Sequence, residues 1–432
     1  MRIKERQNLA IIYALIILFC ITFSQKIPGI SQNWPFLYVG IFFIFIGVCY
    51  IFLRIVGRKK IVISGVQASL VYFIFIFIIS LDVIINPQAR NAFILNLILI
   101  HIFPIILVNI FKDKSINFMI YINAKIFFIF SFLQAIIAWL FLAGWSFSLL
   151  GVEYEHVLIW GGRLHGVMGE PTHFGLLLGV GLVSLLYLYR SRQLLRPASF
   201  RVNVFYVFLS LFFIMSILFS GTRNALVSTT LSLVIYSVFD RKIRKLLLKY
   251  VMVIIAPLVL LLLAISSDAV IIYLDILAGS LRFGDNTSES VRLLAIYRNL
   301  SFISEFDFWG LLSGIGYSDS LSAPTSFNQY TDILRNFGFT WLFIGALLMF
   351  TVIYTYVVKI KSGWSVGAYP FSLLIYSLSV FMFYSPMNTV FHIVAFIFIW
   401  SILVSFLVQK KLILNLDLAF LVVKLKKMLR VG

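Results

Sequence analysis

At 432 residues, 62% hydrophobic and 12% charged, the chain is too apolar for a soluble globular protein and reads as a polytopic membrane protein. Its net charge of +19 is scattered over short turns between apolar segments, which makes it a topology signal and argues against a nucleic-acid partner. Cys20 and Cys49 both fall inside apolar segments, which leaves neither a disulfide framework nor a cysteine-held zinc or iron–sulfur site.

Twelve apolar segments follow one another, over 9–23, 36–53, 62–81, 92–111, 117–142, 172–189, 202–219, 223–239, 247–265, 337–360, 369–384 and 389–408. Each is near the roughly 20 residues that carry a helix across a bilayer. Alternation of period two is missing along them, so the expected fold is all-α, a single transmembrane domain over 1–432, rather than a barrel. Before the first segment stands Met1-Arg-Ile-Lys-Glu-Arg6; after it come Gln25, Lys26 and Pro28 instead of a small-x-small cleavage site. The first helix is therefore expected to be retained.

The turns alternate between rich and poor in Lys and Arg. Of 35 such residues, 26 fall in the N-terminus, 54–60, 112–114, 190–201, 241–249, 359–361 and the stretch after 409. Cytoplasmic loops retain positive charge, so both termini are expected in the cytoplasm. Eight basic residues fall on the other side: Lys26, Arg90, Arg163, Arg223, Arg282, Arg292, Arg298 and Arg335. Lys125 lies within the fifth segment. Seven of the eight are arginine, the side chain suited to forked binding of phosphate oxygens.

Two outer segments are longer than connections need to be. The first, 144–171, includes Trp160-Gly-Gly-Arg163-Leu-His165-Gly-Val-Met-Gly-Glu170 and continues into Pro171-Thr-His173-Phe-Gly175. Its glycines let backbone approach a ligand closely, and Pro171 suits the first turn of a helix, with Glu170 just before it. The short Ser220-Gly-Thr-Arg223-Asn224 turn puts a cation at a helix start, against the macrodipole; an anion bound there reverses the sign. The second long segment, 266–336, joins the ninth and tenth segments and is expected to have structure of its own. Val291, Leu294, Tyr297, Leu300 and Ile303 are spaced for an amphipathic helix on the membrane surface. Between 266 and 332 eight acids face three arginines, Arg282, Arg292 and Arg298, so these are not a diffuse headgroup patch. Arg292, early in that helix, is the preferred ligand-binding residue among them. Glu305-Phe-Asp307 resembles a metal-holding acidic pair, but two acids on a wet loop are ordinarily solvated. The tail, 409–432, alternates apolar clusters with lysines and is expected to lie on anionic lipid as an interfacial helix.

Arg163-Leu-His-Gly-Val-Met-Gly-Glu170-Pro-Thr-His-Phe resembles the "R-x-x-G-x-x-x-E-P-[ST]" signature of bacterial O-antigen polymerases. Ser220-Gly-Thr-Arg223 resembles the "S-G-[ST]-R" turn shared by O-antigen polymerases and ligases. Gly314-Ile-Gly316, then Asn328 to Gly338, resembles their "G-x-G … N-x9-G" loop ending. The ligase branch carries a histidine before that asparagine; Phe327 stands there here, and the Glu-Pro-Thr stretch points to the polymerase branch.

The resemblance implies an inner-membrane glycosyltransferase that acts on the periplasmic face. It would transfer a growing oligosaccharide from undecaprenyl pyrophosphate to a new lipid-linked repeat unit, without nucleotide, metal or other cofactor. Arg163, Arg223 and Arg292 are then expected to hold the pyrophosphate, with Asn328, Arg335 and Arg298 as additional site residues. Glu170 is the expected base, with His173 and His165 behind it. Membrane lipids, a chain-length regulator and a flippase of the same pathway are the implied companions. Attachment of polymer to lipid A core, as by a ligase, is the first alternative, and a lipid-linked oligosaccharide flippase or transporter the second. A transporter is expected to break helices and place charge at the midplane, whereas apart from Lys125 the charges here lie near the segment ends.

Overall fold

The computed structural model describes residues 2–23, 39–49, 104, 115–149, 152–155, 163–168, 170–195, 200–248, 286–315, 328–382 and 393–408. The expected segments 62–81, 92–111 (Pro104 apart) and 247–265 lie outside them, as do the first part of the long loop with Arg282 and the 409–432 tail. The described residues are predominantly helical. In chain order they form α1 (Arg2–Phe23), α2 (Val39–Cys49), α3 (Ile116–Leu142) and α4 (Pro171–Leu195). Next come α5 (Phe200–Phe219), α6 (Arg223–Phe239), α7 (241–248), α8 (Asn286–Ser304) and α9 (Phe308–Ser313). α10 (Gln329–Lys361), α11 (Ala368–Phe381) and α12 (Ile393–Val408) complete the series. Between α3 and α4 a small antiparallel hairpin pairs β1 (Phe147–Leu149) with β2 (Val152–Tyr154), and Phe147 stacks on Tyr154. Among the described residues, four helices are each long and apolar enough to cross a membrane: α3, Pro171–Gln193 of α4, α5 and α10.

α4 is the central helix, buried almost throughout, while α5 and α10 turn Phe205, Phe208, Phe343, Leu347 and Phe350 outward. Small residues let its neighbours close on it. A Cβ on Gly181 would lie 2.5 Å from Cβ of Ser131 on α3, and one on Gly179 would lie 2.7 Å from the Tyr376 hydroxyl of α11. Buried hydroxyls then tie helix to helix: Ser131 donates to the Leu177 carbonyl (3.1 Å), Tyr376 to Leu176 (2.7 Å) and Ser232 to Ser372 (2.9 Å). Side chains with apolar neighbours need such partners, and backbone carbonyls supply them.

These links fix directions. Ser184 meets Tyr369 (2.7 Å) while Leu176 meets Tyr376, so α4 and α11 are antiparallel. Ser232 bonds to Ser372 while Tyr236 packs on Tyr369, so α6 is antiparallel to α11 as well. Tyr330 donates to Leu378 (3.0 Å) and Tyr356 packs on Phe371, which gives α10 the same sense. α4, α6 and α10 therefore all start around the C-terminal end of α11.

The opposite end is clasped by charge. Arg190 and Asp240 form a buried ion pair, and Arg190 Nη2 also donates to Ser365 Oγ (2.8 Å) in the turn before α11. Asp240 Oδ1 accepts from the backbone N–H groups of Lys242 (3.0 Å) and Ile243 (3.3 Å), capping α7. That cap explains why 241–248, a basic turn on sequence grounds, is helical. The same end collects Arg192, Arg201, Arg241, Lys242, Arg244, Lys245, Lys359 and Lys361.

A second departure from the sequence expectation lies at the start of α10. Residues 329–336, assigned to the long loop by their polarity, are helical because Asn328 caps them, its side chain accepting from Tyr330 N (3.0 Å) and Thr331 N (3.1 Å). The helix is then broken at Gly338, whose φ of 71° and ψ of −178° only glycine adopts readily. Gly314, just past α9, has a matching φ of 73°. The two glycines face each other's chains: a Cβ on Gly338 would collide with the Leu312 carbonyl, and one on Gly314 with the backbone of Asn336 and Phe337. The "G-x-G … N-x9-G" pattern thus contains a backbone crossing that seats α9 on the kink of α10.

Candidate functional site

The two arginine-bearing stretches, more than fifty residues apart in sequence, meet at the turn between α5 and α6. Arg163 Nε donates to the Ser220 carbonyl (2.9 Å) and Nη2 to the Gly221 carbonyl (3.3 Å). Leu164 N donates to the Phe219 carbonyl (3.0 Å). The last carbonyls of a helix have no intrahelical donors, and a guanidinium meets both that deficit and the negative end of the dipole. Thr222 Oγ1 donates to the Pro171 carbonyl (2.9 Å), tying the start of α6 to the start of α4. Gly175 permits this, because a Cβ there would lie 2.6 Å from Ser220 Oγ and 2.9 Å from Thr222 Cβ.

Inside the first stretch the chain dips between helices. Leu164, His165, Gly166 and Val167 are buried, and Gly166 takes a φ of 56° to turn the chain back toward Glu170. Gln134, a polar side chain midway along an apolar helix, receives the dip: its Oε1 accepts from Val167 N (3.3 Å). His165 Nδ1 is 2.8 Å from the Gly166 carbonyl, which can only accept, so this nitrogen carries the proton. That contact ties His165 to the shape of its own loop.

Glu170, just before α4, and His173, in its first turn, stand together, with Oε2 3.4 Å from Nε2. The Glu170 side chain is about one third exposed (34%), while His173 is largely covered (12%). Arg223, first residue of α6, is partly exposed, at the same end of the bundle.

Asn328, starting α10, arrives at that end too. Its Nδ2 donates to the Met382 carbonyl just past α11 (3.0 Å). The levels agree: Asn224 is eight residues before Ser232, and Val380 eight after its partner Ser372, about 12 Å along each axis. Three helix starts, at Pro171, Arg223 and Gln329, and with them parts of all three motifs, therefore surround the end of α11. Each start carries the positive end of a helix dipole.

Other expected site residues are placed differently. Arg335 is buried, with Nε donating to Asn336 Oδ1 (2.9 Å), Nη1 to Asn299 Oδ1 (3.2 Å) and Nη2 3.4 Å from Asp332 Oδ1. This network fastens α8 to α10. Arg298 is exposed on α8. Arg292 lies in the same helix, and its side chain is outside the described residues. Asp307 caps α9, accepting from Gly310 N at 2.7 Å, which gives the Glu305-Phe-Asp307 stretch a structural role. Among the described residues no group of three or more His, Cys, Asp or Glu side chains is arranged to hold a metal ion.

Sequence reasoning passed over Gln134 and Thr222. A glutamine inside an apolar segment is itself a signal, because a polar amide there needs a specific partner. Thr222 lay within a recognised turn, but which helix its hydroxyl reaches depends on tertiary contact. In comparisons with known proteins, no family model matches the chain and no curated protein matches it at a significant level.

Proposed function

We propose that the protein is an O-antigen polymerase: a membrane glycosyltransferase that moves a growing oligosaccharide from undecaprenyl pyrophosphate to the hydroxyl of a new lipid-linked repeat. The observation that carries this reading is the meeting of Arg163, the Glu170–His173 pair and the start of α6 with Arg223 at one end of the bundle. Guanidinium groups and helix starts favour a multiply charged anion, and a sugar–phosphate bond breaks more easily when the departing pyrophosphate is stabilised. Glu170, partly exposed beside His173, is the base that takes the acceptor's proton as the new glycosidic bond forms. His165 shapes the loop behind it.

The segregation of basic residues to the opposite end supports a cytoplasmic placement for that end and a periplasmic one for the site. The twelve-span topology with both termini cytoplasmic, in the inner membrane, belongs to the same proposal. Its other elements are Arg292 as third pyrophosphate ligand, no requirement for metal or nucleotide, and a flippase and chain-length regulator as companions.

The test is chain extension by the purified protein in lipid, supplied with undecaprenyl-pyrophosphate-linked repeats alone. Wild type should build a ladder of lengths, and Glu170→Gln should bind the repeat normally but extend it about 100-fold more slowly. Failure of wild type to extend contradicts the function; normal extension by Glu170→Gln removes Glu170 from its role.

A further inference from the structure

We propose that the side-chain amide of Asn224 is a binding donor for a phosphoryl oxygen of the pyrophosphate at the start of α6. The inference rests on the reading above and adds a neutral ligand-binding group to a site so far described by its charges.

Asn224 is the second residue of α6 and only 8% exposed. Its Oδ1 accepts from Ser228 Oγ (3.4 Å), one turn farther along the helix. With the oxygen turned toward Ser228, the nitrogen of the planar amide is directed away from it. That nitrogen is buried and has no hydrogen-bond partner among the described residues. Buried amide donors are almost always paired, so an orphan of this kind needs an acceptor.

The surroundings say which acceptor fits. Thr222 occupies the N-cap position of α6, yet its hydroxyl makes no cap bond and donates instead to the Pro171 carbonyl. Asn328, Asp307 and Asp240, by contrast, each place a side-chain oxygen on the N–H groups of the helix that follows. The start of α6 therefore combines a positive dipole end without a side-chain cap, Arg223 and a buried amide donor. The first two favour an anion over a neutral sugar hydroxyl, and the amide donor calls for an oxygen acceptor and rejects a cation. A phosphoryl oxygen accepts several hydrogen bonds at once, so the Asn224 amide can share it with the α6 backbone. The amide adds direction to the site without adding charge.

The experiment compares binding of undecaprenyl pyrophosphate and of uncharged undecaprenol to the full chain in nanodiscs. The variants are Asn224→Asp, Asn224→Leu and Arg223→Lys, each first checked for folding by thermal melting. Asn224→Asp is isosteric and turns the donor into an acceptor; should the leucine variant fail to fold, it carries the test alone. Both Asn224 variants are expected to bind undecaprenyl pyrophosphate at least 10-fold more weakly, with undecaprenol binding unchanged. A packing role alone would not distinguish the two ligands. Undiminished pyrophosphate binding by folded Asn224→Asp overturns the proposal, and if Arg223→Lys is weakened at the same time, the wider site reading survives it. Equal binding of the two ligands by wild type removes the pyrophosphate site as a whole and this proposal with it.

Discussion

Arg163 and Arg223 carry the same charge in opposite electrostatic settings. Arg163 lies on carbonyls at the end of α5, where its charge is favoured, and Nε and Nη2 hold the guanidinium plane in place. Arg223 opens α6, where the dipole opposes it and a bound anion would reverse the sign. Lysine keeps the charge at both positions but cannot reproduce a planar fork. At normal protein levels Arg163→Lys and Arg223→Lys are each expected to reduce chain extension by about 100-fold, as measured by lipopolysaccharide ladder length and by extension rate. Full activity in both variants would show that charge alone suffices and remove the forked-binding argument. Arg335 differs from both: buried among Asp332, Asn299 and Asn336, it acts through the α8–α10 junction.

At the level of elements, the crossing of α9 over α10 depends on two glycines. An alanine at Gly338 would need a backbone conformation that costs about 1–3 kcal/mol and would also strike the Leu312 carbonyl. A Cβ added to Gly345, in the same helix, would meet nothing within 4 Å. Gly338→Ala is therefore expected to lower the melting temperature in detergent, whereas Gly345→Ala should leave it unchanged or raise it, since alanine is favoured over glycine in a helix by about 1 kcal/mol. Equal melting of the two variants would contradict the crossing. These elements also mark where sequence was readable. The span 223–239 coincides with α6, because a turn precedes a run that holds no Gly or Pro and, after Arg223, no charge, and Asp240 ends it. The beginning of α10 was not readable: Gln329 to Asn336 is polar enough to pass for loop, and its helicity follows from the Asn328 cap and from burial of Asp332 and Arg335. The outer arginines stand out through charge asymmetry alone. Thr222 and Asn224 do not, because the carbonyl that one reaches and the orphaned amide of the other follow only from tertiary contact.

For the whole molecule, one end holds the motifs and the other the cationic clasp of Arg190, Asp240 and the basic turns. The orientation this implies is open to measurement by reporter fusions. A fusion after Gln193 should report the cytoplasm and one after Ser318 the periplasm; the reverse result at either position would contradict the proposed register. Such an arrangement suits an enzyme that draws on a substrate held in the outer leaflet while its positive end faces the cytoplasm. The central claim, polymerisation of lipid-linked repeats, is tested most directly by the lipopolysaccharide of a strain lacking the protein. The account predicts core bearing a single repeat unit, with the ladder restored by the wild-type chain. Long lipid-linked polymer that never reaches the core, or an undiminished ladder, would contradict it.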